Sequence, residues 1–468
     1  MSEPAQVENI KPSPLAVTNG TEASIAEQLV TSDICHRLRR IVAGPRAGLV
    51  RWDGRRWASC PDQLPPELVK AVRNIVTECV SMRLIELRAA PCLERASAIR
   101  GIAEMAFAHS SLHLDAAAID PPWSLNTPCG LVDLRAGTMR QTCPSDPICS
   151  ITGAPWDPAA SSPWWGMIQN HIEKCDPSGF VHRFIGAAAC GLPADRLACF
   201  LVDAGQSGKS TLFECLSLTF GDYAGLAPAE ALSEGNKSGA HTMELLHAVG
   251  SARLLCAPEV TARLDWVGFK SLTGGDGRMI KRLHGKATTV RPRVHLILST
   301  NDLPAVPHSD LAVADRVAIV RLQPIAEPDD RPRQILAEDT PERQAMMAAC
   351  LQWVVAGAIE FARSGYGVRP TGGMPIADPE GVALWWEQRI DIGFITPSTE
   401  WTPASKVARD ATDWFMGRRM PAPSTQAIGR FVRGKVEARR VGHGNVLCYR
   451  LTLGATRRDT IDNDLLHA

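Results

Sequence analysis

The sequence predicts an α/β protein: a doubly wound core, preceded by a mainly helical region and followed by a small winged-helix domain. Three observations carry this reading. Between Leu197 and Ile325 short apolar runs alternate with helical patterns, as parallel strands joined by crossover helices require. Ahead of that segment, Pro65 to Arg88 and Leu93 to Ala108 place apolar residues at helical spacing. Beyond it, Glu380 to Leu453 reads as helices and then a strand pair turning at Gly442-His443-Gly444, the element order of a winged helix.

A chain of 468 residues has room for two to four domains at roughly 100 to 200 residues each. With 45% apolar and 21% charged residues, wholesale disorder and fibrous repeats are excluded. Lys plus Arg and Asp plus Glu both number 50, so any nucleic-acid site must arise from local clustering. Fourteen cysteines stand singly, with no C-x-x-C pair, which fits a reducing compartment. No secretory signal opens the chain and no stretch approaches the roughly 18 apolar residues that cross a bilayer. A cytoplasmic protein without a membrane partner is expected.

The expected order is as follows. Residues 1–30, rich in Pro, Ser and Glu, form a mobile lead-in. Residues 31–190 are mainly helical, with an Asp53-Gly54 hairpin, a second small hairpin over Gly130 to Arg140 and a helical stretch from Trp164 to Ala189. Residues 191–330 are the α/β core, 331–379 a helical linker, 380–456 the winged helix and 457–468 a tail.

The sharpest motif is Gly205-Gln206-Ser207-Gly208-Lys209-Ser210-Thr211, at the end of the strand Ala198 to Val202 and the start of a helix. Such a loop wraps bare N–H groups around phosphate oxygens at a helix N-terminus. Lys209 is placed for the β and γ phosphates and the Ser210 hydroxyl for Mg²⁺. Asp203 stands where the pattern's first glycine belongs, and its carboxylate is expected to point away from the phosphates. Glu259, after the strand Arg253 to Ala257, is the candidate for polarising the attacking water or holding the metal's outer shell. Asn301, after the strand Val294 to Ser299, is placed to sense the γ-phosphate. Arg316, ahead of the strand to Val320, is an arginine-finger candidate toward a neighbouring subunit; the alternative is a pairing with Asp315 or Asp310.

In this order the motifs resemble the superfamily 3 helicases, in particular the helicase part of phage and plasmid primase-helicases (the poxvirus-type replicative NTPases). The likeness rests on Gly205 to Thr211, Ala252 to Glu259, Phe269 to Asp276, Met279 to Lys286, Leu298 to Pro304 and Arg316, with Leu125 to Arg135 looking like the collar that precedes the motor. The resemblance implies an AAA+ type P-loop motor that forms a ring, usually a hexamer, binds ATP and Mg²⁺ and draws single-stranded DNA through its centre with 3′ to 5′ polarity. It also implies a hairpin entering the channel, here Met279 to Val290. The residues agree: Lys281, Arg282, His284 and Lys286 surround a Gly turn, a basic tip that tracks phosphates without reading bases. The stretch before residue 120 is short for the primase domain of longer relatives and carries no paired-carboxylate motif. Primase activity is therefore not expected, and a separate primase or polymerase would be a partner.

Between Trp401 and Thr456 ten basic residues face three acidic ones, the footprint of a backbone-binding patch. Thr425 to Val436 is the candidate recognition helix, with Arg430, Arg433 and Lys435. The function expected is an ATP-dependent DNA helicase that acts on single-stranded and forked DNA during replication of a mobile element. A nucleotide-gated origin-binding scaffold and a small-molecule kinase are the rivals.

Overall fold

Ile25 and Leu29, four residues apart, put two apolar side chains on one helical face. In the computed structural model Glu22–Thr31 forms helix α1, its N-terminus capped by the Thr21 side chain, with both residues fully buried. Residues 22–30 are thus part of the fold, which corrects the reading of the whole 1–30 stretch as a mobile lead-in; the tertiary contacts of Ile25 and Leu29 override a polar composition. The structure describes residues 20–454 apart from 45, 63, 204, 228–231, 234–251, 259, 261–263, 275–277, 282–286, 291–292, 305, 308–312, 314–315, 371–375, 378–381, 418–424 and 442–445. The chain divides into one unit of Met1–Pro304 and Ala312–Gly373 and another of Ala305–Leu311 and Met374–Ala468.

In the first unit β1 (Leu38–Ile41), β2 (Gly48–Trp52) and β3 (Trp57–Ser59) form an antiparallel meander whose Asp53–Arg56 turn includes the expected Asp-Gly pair. Helices α2 (Pro66–Ser81) and α3 (Ala96–Ala106) pack their apolar faces with α1 and Leu38. Strand β4 (His113–Leu114) adds to β1 in parallel. A second meander follows, β5 (Ser124–Thr127), β6 (Gly130–Asp133) and β7 (Thr138–Arg140), one strand more than the expected hairpin. The stretch expected to be helical from Trp164 to Ala189 is two helices, α4 (Pro163–Cys175) and α5 (Phe180–Ala189), parted at Gly179, whose φ of +67° suits glycine.

The α/β core comprises β8 (Ala198–Val202), α6 (Lys209–Phe220), β9 (Ala224–Leu226), β10 (Leu254–Ala257), α7 (Trp266–Gly274), the hairpin β11 (Arg278–Lys281) and β12 (Ala287–Val290), β13 (His295–Thr300) and β14 (Val317–Arg321). Five of these strands make one all-parallel sheet in the order β14-β8-β13-β10-β9. Strands β8, β10 and β13 are buried at every position, as expected when both faces of a parallel sheet are covered. Cys199 and Leu201 join the main apolar cluster with α5 and α6. Phe200 meets Phe269 of α7 with ring centroids 6.1 Å apart, because successive strand residues alternate faces.

Helices α8 (Arg331–Ala337) and α9 (Pro341–Ser364) close this unit. By length and composition α9 meets the requirement for crossing a bilayer, which corrects the expectation that no stretch does; in this fold its apolar residues, Met346 through Ala358, are buried against α5 and α6. Where α5 and α9 cross, a Cβ on Gly186 would lie 2.1 Å from the Gly357 carbonyl carbon, and one on Gly357 would lie 2.4 Å from the His182 oxygen. Backbone cannot yield as a side chain can. Gly186→Ala is expected to cost about 1–3 kcal/mol by overpacking, read as a lower urea midpoint at unchanged slope.

The second unit contains α10 (Val382–Asp391), β15 (Ile395–Pro403), α11 (Ala404–Gly417), α12 (Thr425–Arg433), β16 (Ala438–Val441) and β17 (Val446–Leu453), with a short parallel pairing of Val306–Pro307 to Ile376–Ala377. Its sheet runs β15-β17-β16, so the expected strand pair gains a third strand from between the helices. Polar Thr396, Ser398, Thr399 and Glu400 and the two prolines of β15 hid it from a pattern search. Asp410 is buried and accepts from Arg389 Nε at 3.1 Å and from Trp385 Nε1 at 2.9 Å.

Candidate functional site

Parallel register decides where the site forms. Val202 of β8 lies opposite Thr300 of β13, and Leu298 of β13 opposite Ala257 of β10. The segments leaving these strands therefore emerge at one edge of the sheet, the carboxyl edge where open α/β sheets bind ligands. Asp203 to Lys209 leaves β8 and Asn301 leaves β13. Glu259, expected after β10, lies outside the described residues; Val260 beyond it donates its N–H to Ser299 O at 2.8 Å.

Three residues of the loop hold positive φ: Gly205 at 119°, Gln206 at 58° and Gly208 at 78°. Glycine adopts such angles freely, and the Gln206 exception is pinned by Ile325 N–H, which donates to Gln206 O at 3.0 Å. Successive N–H groups in a curl of this kind form an anion-binding concavity, and here it leads into the N-terminus of α6, whose cap is Gly208. Ser210 is exposed and Thr211 half-buried in the first turn. The Ser207 hydroxyl is buried with no hydrogen-bond partner among the described residues.

Lys209 Nζ lies 3.3 Å from Asn301 Oδ1 and forms an ion pair with Asp203. Two of the sequence candidates are thereby brought together. The expectation for Asp203 is corrected. Its N–H extends the ladder to Thr300 O at 3.3 Å, and its side chain, 1% exposed, turns onto the lysine instead of away from the loop. Among the described residues neither carboxylate oxygen takes a hydrogen bond from any group other than Lys209 to offset burial, so the ammonium is the charge that balances it.

Beside the loop a cavity of about 350 Å³ is bounded by Ser207, Lys209 and Thr211, by Ile168 and His171 of α4, and by Leu322 and Ile325. Burial holds the His171 imidazole below its ordinary pKa, which keeps it neutral near pH 7. Ile168, His171, Leu322 and Ile325 escaped sequence reasoning because they lie far from the loop in the chain and follow no motif.

Arg316, just ahead of β14, is bound to α7 of its own chain. Its Nη1 donates to Lys270 O at 3.0 Å and to Thr273 Oγ1 at 3.3 Å, a cation closing the carboxyl end of α7. Lys281 ends β11, opposite Ala287 at the start of β12; Arg282, His284 and Lys286 lie outside the described residues. In the second unit Arg430, Arg433 and Lys435 are exposed. Arg433 Nε donates to Gly429 O at 3.0 Å, and the Lys435 ammonium sits 5.6 Å from the Phe431 ring centroid. Arg409 and Arg433 also border a cavity of about 600 Å³ between α11, α12 and β17.

Residues 33–172 match the family model described as D5 N terminal like. The chain is 24% identical over 198 residues to a protein of Acanthamoeba polyphaga mimivirus provisionally named a helicase, L207/L206. That alignment takes in 41% of this chain and 21% of the relative, so the chain spans about a fifth of the length of the curated protein it matches. Among solved structures it is similar to the A form apo structure of the NrS-1 C-terminal region, at 12% identity and a TM-score of 0.39, over 64% of this chain and 77% of the other. A second apo structure of the same region gives 11% identity and a TM-score of 0.38.

Proposed function

We propose that the chain is a nucleoside-triphosphate-driven DNA motor of replication, a superfamily 3 helicase with an AAA+ type P-loop core and a winged-helix tail. One observation carries the proposal: the loop after β8 presents Lys209 at a helix N-terminus within 3.3 Å of Asn301 from β13, on the carboxyl edge of a parallel sheet. The sheet order, counted along its own strands, is fifth-first-fourth-third-second, which sets the loop after the first strand beside Asn301 at the end of the fourth. The D5 N-terminal-like match over residues 33–172 and the resemblance to the mimivirus protein support a role in replication.

The residues fit a magnesium nucleotide. The positive-φ loop and Lys209 suit the phosphates, Ser210 is free to face Mg²⁺ as a hydroxyl ligand, and the cavity beside α4 has room for a base. When bound, the metal supplies charge neutralisation for phosphoryl transfer. Asn301 would position water together with Glu259, and Arg316 would act across a subunit boundary of a hexamer after releasing its bonds to α7. The β11–β12 tip, with Arg282, His284 and Lys286, would hold a DNA strand, and Arg430, Arg433 and Lys435 would hold the duplex phosphates.

The test is strand displacement on a forked duplex together with hydrolysis measured with and without single-stranded DNA. Stimulated hydrolysis with displacement is expected. Lys286→Ala should spare basal hydrolysis and abolish displacement, and unaltered displacement by that variant would remove the channel assignment. The ion pair of Asp203 with Lys209 favours a second reading, a nucleotide-gated scaffold that assembles on an origin without unwinding it. Nucleotide-dependent DNA binding without displacement would establish the scaffold instead.

A further inference from the structure

We infer that Asp203 is a built-in counter-anion for Lys209, a resting latch that polyphosphate must displace and that keeps affinity for di- and triphosphates low. The inference rests on the nucleotide-site reading above and concerns how that site is regulated.

The position itself is informative. The loop pattern calls for glycine there, and a carboxylate introduces negative charge where phosphate oxygens are to be received. Solvent does not dilute that charge, since the Asp203 side chain is 1% exposed and that of Lys209 10%. Nor do other groups, because among the described residues no hydrogen bond besides the contact with Lys209 reaches either Asp203 oxygen. The carboxylate is therefore held by Lys209, the group assigned to the β and γ phosphates. At low effective dielectric, separating such a pair is costly, and adding a polyanion beside an unmasked carboxylate costs more. Asn301 Oδ1, 3.3 Å from the same ammonium, offers a neutral alternative partner.

The charge, rather than the side-chain shape, should set affinity. Asp203→Asn keeps the shape and removes the charge, so it is expected to bind fluorescent ATP and ADP analogues roughly tenfold or more tightly than the parent. The corresponding AMP analogue, lacking the phosphates that compete for Lys209, should bind both proteins equally. A merely structural role would move all three alike. Asp203→Gly, which restores the loop pattern, should follow Asp203→Asn for ATP and serves if the amide disturbs folding. Titrations run on the full chain, with thermal melting as the folding control.

Equal ATP affinity in parent and Asp203→Asn would overturn the latch while leaving the nucleotide site standing. Weaker, Mg²⁺-dependent binding in Asp203→Asn would overturn it too, making the carboxylate a metal ligand. Binding of ATP by neither protein would remove both the latch and the nucleotide-site reading.

Discussion

Lys209→Ala is expected to lower nucleotide hydrolysis by roughly 10² to 10³-fold, the usual scale for removing one preorganised charge from a reacting phosphate or oxyanion. The substitution has a second consequence, which the structure makes separable. Lys209 balances the buried carboxylate of Asp203, so its loss leaves an unpaired charge and should cost about 3–5 kcal/mol of stability. A loss of activity alone would then be ambiguous. The double variant Asp203→Asn with Lys209→Ala removes both charges and should recover most of the stability while hydrolysis stays lost. Phosphate release and thermal melting on the parent, both single variants and the double variant distinguish the two effects. Recovery of hydrolysis along with stability in the double variant would show that Lys209 supports the fold and not the chemistry.

Much of this site was legible because its parts are local. The run Ala198 to Thr211 carries strand, loop and helix start within fourteen consecutive residues, and each reports its own backbone preference. Asn301 could be read from position because parallel strands bring their carboxyl ends to one edge. What stayed hidden depends on contacts between distant segments. Helix α1 looked polar, yet Ile25 and Leu29 suffice to bury it against α2 and α3. Strand β15 lacks alternation and gains its order from β17, nearly fifty residues on in register, as in the pairing of Thr402 with Tyr449. The cavity wall from α4 and the segment around Leu322 joins residues about 150 apart, a distance no local pattern spans. Asp203 was visible as a broken motif, but its direction was not, since only the fold shows which cation lies beside it.

Arg253 is the clearest case of an unsuspected role, and its replacement should have the largest effect on stability. In the sequence it only opens a strand. In the structure it is 4% exposed, and its guanidinium donates to four carbonyl oxygens: Ser124 at 2.8 Å, Ala189 at 2.5 Å, Asp120 at 2.9 Å and Pro121 at 3.2 Å. The Tyr223 ring lies against it, 4.5 Å from centroid to Cζ. Ala189 ends α5, so the cation also meets the negative end of a helix. One side chain thereby ties the segment before β5, the end of α5 and the amino edge of the sheet. Arg253→Met keeps length and apolar bulk but strands the carbonyls, each buried unpaired group costing about 1–3 kcal/mol. With four carbonyls stranded, a total loss of roughly 5 kcal/mol or more is expected by chemical denaturation. Lys, with one compact ammonium in place of a planar fork, should restore only part of it. Because Arg253 precedes β10 and the Gly205–Lys209 loop follows β8, the two lie at opposite edges of the parallel sheet. Hydrolysis per folded molecule should therefore remain near the parent value in Arg253→Met at low temperature. An unchanged denaturation midpoint would refute the carbonyl cage, and a large fall in hydrolysis without loss of stability would place Arg253 in the functional site instead.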